Sequence, residues 1–172
     1  MTVIVVGAGP TGLMLAGDLA EAGIPVKILE RRTSESNLTR AFALHARSLE
    51  LLDLRGLADE IVAQGFRVSE VRPHLGGKEI VFDLHHPESR FPYVLMLQQA
   101  RTEAVLARRV RDLGVEIVRG AEVTGLTQDA DGVTLTVQNG QTERASPVVP
   151  SSCRAFPLTP APKLVPPARV AS

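Results

Sequence analysis

A glycine-rich motif near the start of the chain has the residue types and spacing that could bind a phosphate. Its residues, in order, are Gly7, Ala8, Gly9, Pro10, Thr11 and Gly12. In a G-x-G-x-x-G motif the first glycine permits a tight turn, the second lets a pyrophosphate approach the backbone, and the third lets the next helix pack closely. The N–H groups and positive dipole end of that helix favour an anion. The motif therefore predicts a dinucleotide site.

An acidic residue follows the motif at the spacing that such sites use. Glu30 lies about 20 residues beyond the glycines, at the end of a second apolar run. A carboxylate there can accept hydrogen bonds from the adenosine ribose hydroxyls and would repel a 2′-phosphate, which argues against NADP at this site. Arg31 is a further candidate beside it, although loop arginines such as Arg31 and Arg32 are usually solvated. On these residues alone, FAD and NAD both remain candidates.

The elements around the motif follow a βαβ order. Residues 3–6 form an apolar, β-branched run that is typical of a strand buried on both faces. Residues 11–22 have a helical pattern with small residues on one face, and Gly23 is a stop signal. Residues 25–29 predict the second strand. The predicted fold class is therefore α/β, with a Rossmann-like FAD-binding or NAD-binding core.

The middle of the chain adds a β hairpin and a small antiparallel β element. The patterns predict a polar loop at 31–44, helices at 45–54 and on to about 63, strands at 66–74, 78–84 and 94–97, a helix at 100–113, and strands at 115–118, 121–128 and 133–137. Gly76-Gly77 and Asp131-Gly132 are the expected hairpin turns.

The character of the sequence changes at residue 146. Residues 146–172 hold seven of the twelve prolines and contain no Gly, Asp or Glu. With neither a helical nor a strand period, this tail predicts disorder and no strand or helix. A shift of reading frame is one hypothesis, which resequencing would test. On this view the predicted domain, residues 1–145, is incomplete, and the strand at 3–6 loses a neighbour and exposes an apolar edge.

Composition excludes several other function classes. Lys plus Arg and Asp plus Glu both number 19, so the net charge is zero and gives no electrostatic signature for nucleic acid or an anionic membrane. The single cysteine, Cys153, cannot form an internal disulfide, and no Cys/His cluster has metal-ligand spacing. No signal peptide or membrane-spanning run is apparent. We therefore expect a cytoplasmic protein with no metal site.

Three stretches resemble the N-terminal part of class A flavoprotein monooxygenases, closest to aromatic polyketide hydroxylases and their phenol hydroxylase-like relatives. They are VGAGPTGLMLAGDLAEAGIPVKILERR at 6–32, TRAFALHARSLELLDLRGL at 39–57, and MLQQARTEAVL at 96–106, which is followed by GVEIVRGAEVTGLTQDADGVTLTV. The resemblance covers residues 1 to about 145. It implies FAD as the cofactor.

The resemblance also implies roles for particular residues. Arg40 matches a loop arginine that contacts the FAD pyrophosphate. Gln99 and Arg101 match polar positions near the ribityl chain and phosphates of the flavin. Val123 matches a position whose backbone meets the adenine. Members of this family have no catalytic triad: NAD(P)H reduces the flavin, which then uses O2 to hydroxylate an aromatic ring, while the protein positions the substrate and excludes water. We therefore assign no catalytic residue.

Two alternatives remain open. One is a fragment of an NAD-dependent dehydrogenase, which predicts a continuing βαβα pattern after Glu30 where this chain has a loop, a helix and a hairpin. The other is a non-enzymatic fragment, or a nucleotide-binding subunit that a partner chain completes. The later Gly-Asp motifs of the family are absent from this sequence, so we expect the 172-residue chain alone to be inactive.

Overall fold

The chain divides into two compact units in a computed structural model that describes residues 2–35, 41–129, 132–145 and 148–150, the last three by their backbone. The first unit combines Met1–Thr33 with Leu113–Ser172, and the second is Ser34–Asp112. The described elements, in chain order, are β1 (Val3–Val6), α1 (Pro10–Glu21), β2 (Val26–Glu30), β3 (Ala43–Leu44), α2 (Ala46–Asp53), α3 (Ala58–Val62), β4 (Phe66–Val68), β5 (Glu70–Val71), β6 (His74–Leu75), β7 (Lys78–Glu79), β8 (Phe82–Asp83), β9 (Val94–Met96), α4 (Gln99–Asp112), β10 (Glu116–Arg119), β11 (Val123–Asp129), β12 (Gly132–Val137), β13 (Thr142–Ala145) and β14 (Val148–Pro150).

The first unit is built on a parallel sheet with strand order β10-β2-β1-β14. Val5 lies opposite Ile28 in β2, which in turn lies opposite Ile117 in β10. Val5 and Ile28 are fully buried, as expected for parallel strands made of β-branched apolar residues. The prediction of a βαβ unit with a Rossmann-like core is confirmed.

An antiparallel sheet, β11-β12-β13, packs its apolar side chains into the same core. The buried members of this core are Ile4, Leu29, Ala121, Leu135, Val137 and Ala145. The predicted hairpin between the strands is present, since Asp129 pairs with Gly132, while residue 131 of the predicted turn lies outside the described residues. The core therefore joins the parallel strands to this small antiparallel element.

The tail departs from its prediction over residues 148–150. Prediction from sequence excluded a strand after residue 145, yet β14 pairs with β1 in parallel, Ile4 opposite Val148 and Val5 opposite Val149. The absence of a period was the wrong criterion, because a strand of a parallel sheet needs no alternation. In addition, β14 stands at one edge of the described sheet, where a proline such as Pro150 is tolerated. The predicted exposed edge beside β1 was also wrong. Residues 151–172, with Cys153 and most of the hypothesised frame shift, lie outside the described residues.

The second unit combines three helices with short antiparallel strands. The strand order β3-β9-β4 forms one sheet, and β5 with β8 and β6 with β7 form the predicted hairpin, whose Gly76 and Gly77 both have positive φ. The hairpin is less regular than predicted, because Pro73 interrupts one strand and β4 pairs with β9 instead of the returning arm. Among the described residues, no helix has the length and apolarity to cross a membrane.

Candidate functional site

The turn between β1 and α1, residues 7–12, is called the glycine turn here. Gly7 has φ of 104°, a conformation that residues with a Cβ rarely adopt, and its N–H donates to the Leu29 carbonyl oxygen of β2 at 2.7 Å. This hydrogen bond fixes the turn against the carboxyl end of the second strand. The predicted requirement for glycine at this position is therefore seen in the backbone.

Gly9 leaves open space at the start of α1. A Cβ placed on Gly9 would have no heavy atom of the described chain within 4 Å. Pro10 begins the helix, where its missing N–H costs nothing, and no acidic residue occurs in the first helical turn. Gly12 is buried. An anion near Gly9 would therefore meet the positive end of the helix with no side-chain carboxylate of that turn against it.

Glu30 ends β2 with its carboxylate beside the glycine turn. The residue is only 4% exposed. Its Oε2 accepts a hydrogen bond from the Ala8 N–H at 2.6 Å, and its Oε1 accepts bonds from the Arg32 N–H at 2.9 Å and the Arg32 Nε at 3.0 Å. The structure thus brings the predicted acid into direct contact with the glycine turn, through Ala8.

The carboxylate of Glu30 is held in its charged form. Burial by itself raises the pKa of this group, but the hydrogen bonds from Arg32 and Ala8 and the positive charge of Arg32 outweigh burial and leave the pKa below its ordinary value. Each carboxylate oxygen has two lone pairs, so the two hydrogen bonds from Arg32 occupy Oε1, while Oε2 keeps capacity for one further donor such as a hydroxyl group. Glu30 is therefore an acceptor site at the end of the sheet.

Arg32, and not Arg31, is the arginine that contacts this acid. Arg31 was the candidate and is exposed, whereas Arg32, which was expected to be solvated, is the residue that contacts Glu30. A general rule could have indicated a contact of this kind: a buried carboxylate is stable when a cation or several hydrogen-bond donors compensate its charge. Prediction from sequence had already placed Glu30 at the site, so a cation nearby could have been expected.

Two of the residues assigned by resemblance lie in the second unit. Gln99 begins α4, and its side-chain amide donates to the buried Glu103 at 2.6 Å, while Arg101 is exposed in the first turn of the same helix. Glu103 was not foreseen from the sequence. Arg40 lies outside the described residues.

Val123, the remaining residue assigned by resemblance, lies in the first unit. It begins β11, pairs with Val137 and is half-buried against the core, and a bulge follows it before Gly125. Its side chain is thus a core contact. A role toward a nucleotide would fall to its backbone, as the resemblance implies.

The first unit offers the features that a nucleoside diphosphate needs. The glycine turn supplies a helix N-terminus with open space above Gly9, and Oε2 of Glu30 supplies a charged acceptor suited to a ribose hydroxyl. Within the described ranges, no three His, Cys, Asp or Glu side chains converge as metal ligands would. The arrangement is one for binding and orienting a dinucleotide.

Comparison with known proteins agrees with this geometry. The family model described as FAD binding domain matches residues 1–151. The chain is 42% identical over 140 residues to 12-dehydrotetracycline 5-monooxygenase/anhydrotetracycline 6-monooxygenase of Streptomyces rimosus, covering 78% of this chain and 26% of the relative. It is 42% identical over 150 residues to rifampicin monooxygenase of Streptomyces venezuelae, covering 86% of this chain and 30% of the relative.

A solved structure gives the same result. The anhydrotetracycline hydroxylase from Streptomyces rimosus superposes with a TM-score of 0.77 at 38% identity, covering 87% of this chain and 31% of that chain. The chain thus spans about a quarter to a third of the length of these curated relatives. The family resemblance and the α/β fold class expected from the sequence are both confirmed.

Proposed function

Because this chain belongs to the family of FAD binding domains, we propose that it is the nucleotide-binding part of an FAD-dependent monooxygenase that hydroxylates aromatic or polyketide molecules with NAD(P)H and O2. The curated relatives are named as monooxygenases of tetracycline intermediates and of rifampicin. Their names support an aromatic or polyketide substrate for this protein. They favour this proposal over a dehydrogenase fragment.

The observation that supports FAD binding most directly is the contact between Glu30 and the glycine turn. The Ala8 N–H to Glu30 Oε2 hydrogen bond joins the two halves of a dinucleotide signature that lie far apart in the sequence. In this proposal the start of α1 binds the pyrophosphate beside Gly9, and Glu30 accepts hydrogen bonds from the adenosine ribose. Pro10 and Thr11 shape the first turn of that helix.

The other site residues are proposed from the resemblance. Arg40 would contribute positive charge near the phosphates, and the exposed Arg31 is kept as a candidate from its place beside Glu30 in the sequence alone. Gln99 and Arg101, at the start of α4, would approach the ribityl and phosphate region, and the Gln99 amide is already oriented by Glu103. The backbone at Val123 would meet the adenine.

These residues bind and orient the cofactor and do not take part in bond making. Bound FAD would supply the redox chemistry, which accepts electrons from NAD(P)H and activates O2. Glu30 disfavours a 2′-phosphate at the adenosine position, so a bound NADPH would have to be held elsewhere. The one cysteine in the sequence fits a reducing compartment, and we propose the cytoplasm.

The test is a titration of the chain with FAD, followed by flavin absorbance and fluorescence. Parallel titrations use FMN, which lacks the adenosine half, and NAD⁺, which shares it. We expect FAD to bind more tightly than either. Glu30→Gln should weaken FAD binding by about tenfold, because it removes a charged acceptor from the ribose. Glu116→Gln, an exposed acid of β10, is the matched control and should bind like the wild type.

The outcomes separate the competing functions. Preference for NAD⁺ over FAD would favour the dehydrogenase fragment. A folded chain with no affinity for FAD, or with equal affinity for FMN, would contradict the proposed role of the glycine turn and Glu30.

A further inference from the structure

Arg32 provides the positive charge that Glu30 needs in its buried position. The Glu30 side chain is 5% exposed, and two of its hydrogen bonds, at 2.9 and 3.0 Å, come from the backbone and the guanidinium of Arg32. A carboxylate removed from water is costly unless charge and donors replace the water. The Ala8 N–H is a neutral donor. The charge compensation seen here therefore comes from Arg32.

We propose that Arg32 is a positioning residue for the nucleotide site: its guanidinium fixes Oε1 of Glu30 and keeps Oε2 oriented to accept a ribose hydroxyl of the cofactor. This inference rests on the proposed function, since it assigns the ribose to Glu30. Arg32 acts through Glu30. With Ala8 holding one oxygen and Arg32 the other, the carboxylate is oriented before any nucleotide arrives, so less ordering is needed on binding.

Few charged groups lie near Glu30 within the described part of the chain. On its own loop are Arg31 and Arg32, and Arg119 lies opposite Glu30 on the neighbouring strand β10. The glycine turn contributes Ala8, which has no charge. Of these groups Arg32 is the one in hydrogen-bond contact with the carboxylate through its side chain. Removing its charge should therefore let burial dominate and raise the pKa of Glu30.

The experiment compares the full chain with Arg32→Gln and Arg32→Lys. Gln removes the charge but leaves the Arg32 backbone N–H, and Lys keeps the charge without the planar Nε donor. Arg144→Gln is the control, because Arg144 is an exposed arginine of the first unit paired with Asp129. The Glu30 carboxyl is followed by ¹³C NMR without FAD, and FAD affinity is measured from about pH 5 to about pH 8, the range in which a raised carboxyl pKa would be visible.

We expect three linked results. In Arg32→Gln, the pKa of Glu30 rises and FAD affinity falls by about tenfold at neutral pH, and by more as the pH is lowered. In Arg32→Lys, the pH dependence returns toward that of the wild type while some loss of affinity remains. Arg144→Gln matches the wild type in both measurements.

Other results would overturn the inference. An unchanged Glu30 titration in Arg32→Gln would do so whether or not FAD binds. A loss of affinity equal at every pH and equal in both variants would also do so, because it would reflect general damage to the loop. If the wild type itself fails to bind FAD but the Glu30 titration shifts as expected, the proposed function fails while the role of Arg32 toward Glu30 stands.

Discussion

At the scale of single residues, Gly7 and Gly9 are glycines for different reasons. Gly7 has φ of 104°, so any side chain there strains the backbone, whereas Gly9 has an ordinary φ of −80° and open space around it. We expect Gly7→Ala to lower the free energy of unfolding by about 1–2 kcal/mol. Gly9→Ala should change it by less than about 1 kcal/mol but weaken FAD binding, because its methyl group would occupy the phosphate space.

Urea unfolding and FAD titration of the two variants check this prediction. Equal loss of stability in both variants would contradict the distinction. Normal FAD affinity in Gly9→Ala would show that the pyrophosphate does not approach the backbone there.

Glu30 also makes stability depend on pH. Its pKa is lowered in the folded state, so its contribution is complete above the unfolded value of about 4.3 and is lost as the pH falls through the folded value. We expect the free energy of unfolding to fall below about pH 4.5, and to fall less steeply in Glu30→Gln. Urea unfolding at stepped pH measures the slopes. Glu116→Gln, an exposed acid of β10 that lies 3.8 Å from Lys27, is the control and should keep a slope near that of the wild type.

The site was predictable at this scale only in part. Glu30 could be placed beside the glycine turn because parallel strands end at the same edge of a sheet, so β1 and β2 deliver their following residues together. Arg32 could not be chosen over Arg31, because which of two adjacent loop arginines turns back depends on how the chain leaves β2. That path is set by contacts such as the Gly120 N–H to the Arg32 carbonyl oxygen, which involve distant sequence.

At the scale of elements, Lys27 ties the parallel sheet to the antiparallel one. Its Nζ lies 2.8 Å from Glu143 Oε1 on β13 and 3.8 Å from Glu116 Oε2 on β10. The hydrogen bond to Glu143 is the main reason that the pKa of Lys27 is raised, against the lowering effect of burial. The Lys27–Glu143 pair is closer and less exposed than the Lys27–Glu116 pair, so solvent screens the attraction between its charges less.

A double-mutant cycle tests this tie. Lys27→Met with Glu143→Gln should give a coupling energy of about 1 kcal/mol, and Lys27→Met with Glu116→Gln a smaller one. The coupling should be complete below about pH 10.5 and should be lost as the pH rises further through the raised folded pKa of Lys27, where the amine loses its charge. Equal coupling for both pairs would contradict the reading that partial burial strengthens the contact with β13.

Gly65 sets how closely the end of α3 approaches β9. A Cβ at this position would lie 2.9 Å from the Leu95 side chain and from the Met96 carbonyl oxygen, a backbone atom that cannot easily move. We expect Gly65→Ala to lower the free energy of unfolding by about 1–3 kcal/mol. Gly125→Ala is the matched control, because its Cβ would meet Thr136 at an ordinary 3.6 Å. Thermal unfolding of both variants decides the prediction, and equal melting temperatures would contradict it.

Element prediction worked where the local pattern was clear. The helices α1 and α4 followed from apolar periods and glycine stops, and the strands β1, β2, β11 and β12 followed from apolar segments bounded by turn residues. The strand β14 escaped because three residues are too few to show a period, and it is defined by pairing with β1 at the opposite end of the sequence. The interruption of the hairpin by Pro73 depended in the same way on where its neighbours pair.

At the scale of the whole molecule, β14 decides whether β1 is an internal strand. We expect a chain ending at residue 145 to be about 2 kcal/mol less stable than one ending at residue 150, since the ladder contacts of three paired positions are lost. Amide hydrogen exchange at Ile4 and Val5 should accelerate in the shorter chain. A comparison of the 150-residue chain with the full chain controls for length. Equal protection of β1 in all three would contradict the pairing.

The division into two units also belongs to this scale, and no local pattern marks it. The first unit consists of two separate stretches of chain, with the second inserted between Thr33 and Leu113. Contacts between these distant stretches define the first unit. Local sequence patterns do not show such contacts, so they predict one continuous domain. The sheet order β10-β2-β1-β14 shows this discontinuity, because the inner strands come from the first stretch of chain and the outer strands from the second.

This sheet order has a consequence for folding during synthesis. The strands β1 and β2 and the glycine turn emerge from the ribosome before the second unit, whereas their outer neighbours β10 and β14 emerge after it. The second unit is one continuous segment and can fold before the outer strands β10 and β14 of the first unit have been synthesised. Once compact, it replaces a long flexible loop between β2 and β10 and lowers the entropic cost of joining them. The parallel sheet around the glycine turn is therefore completed only after the second unit has been synthesised.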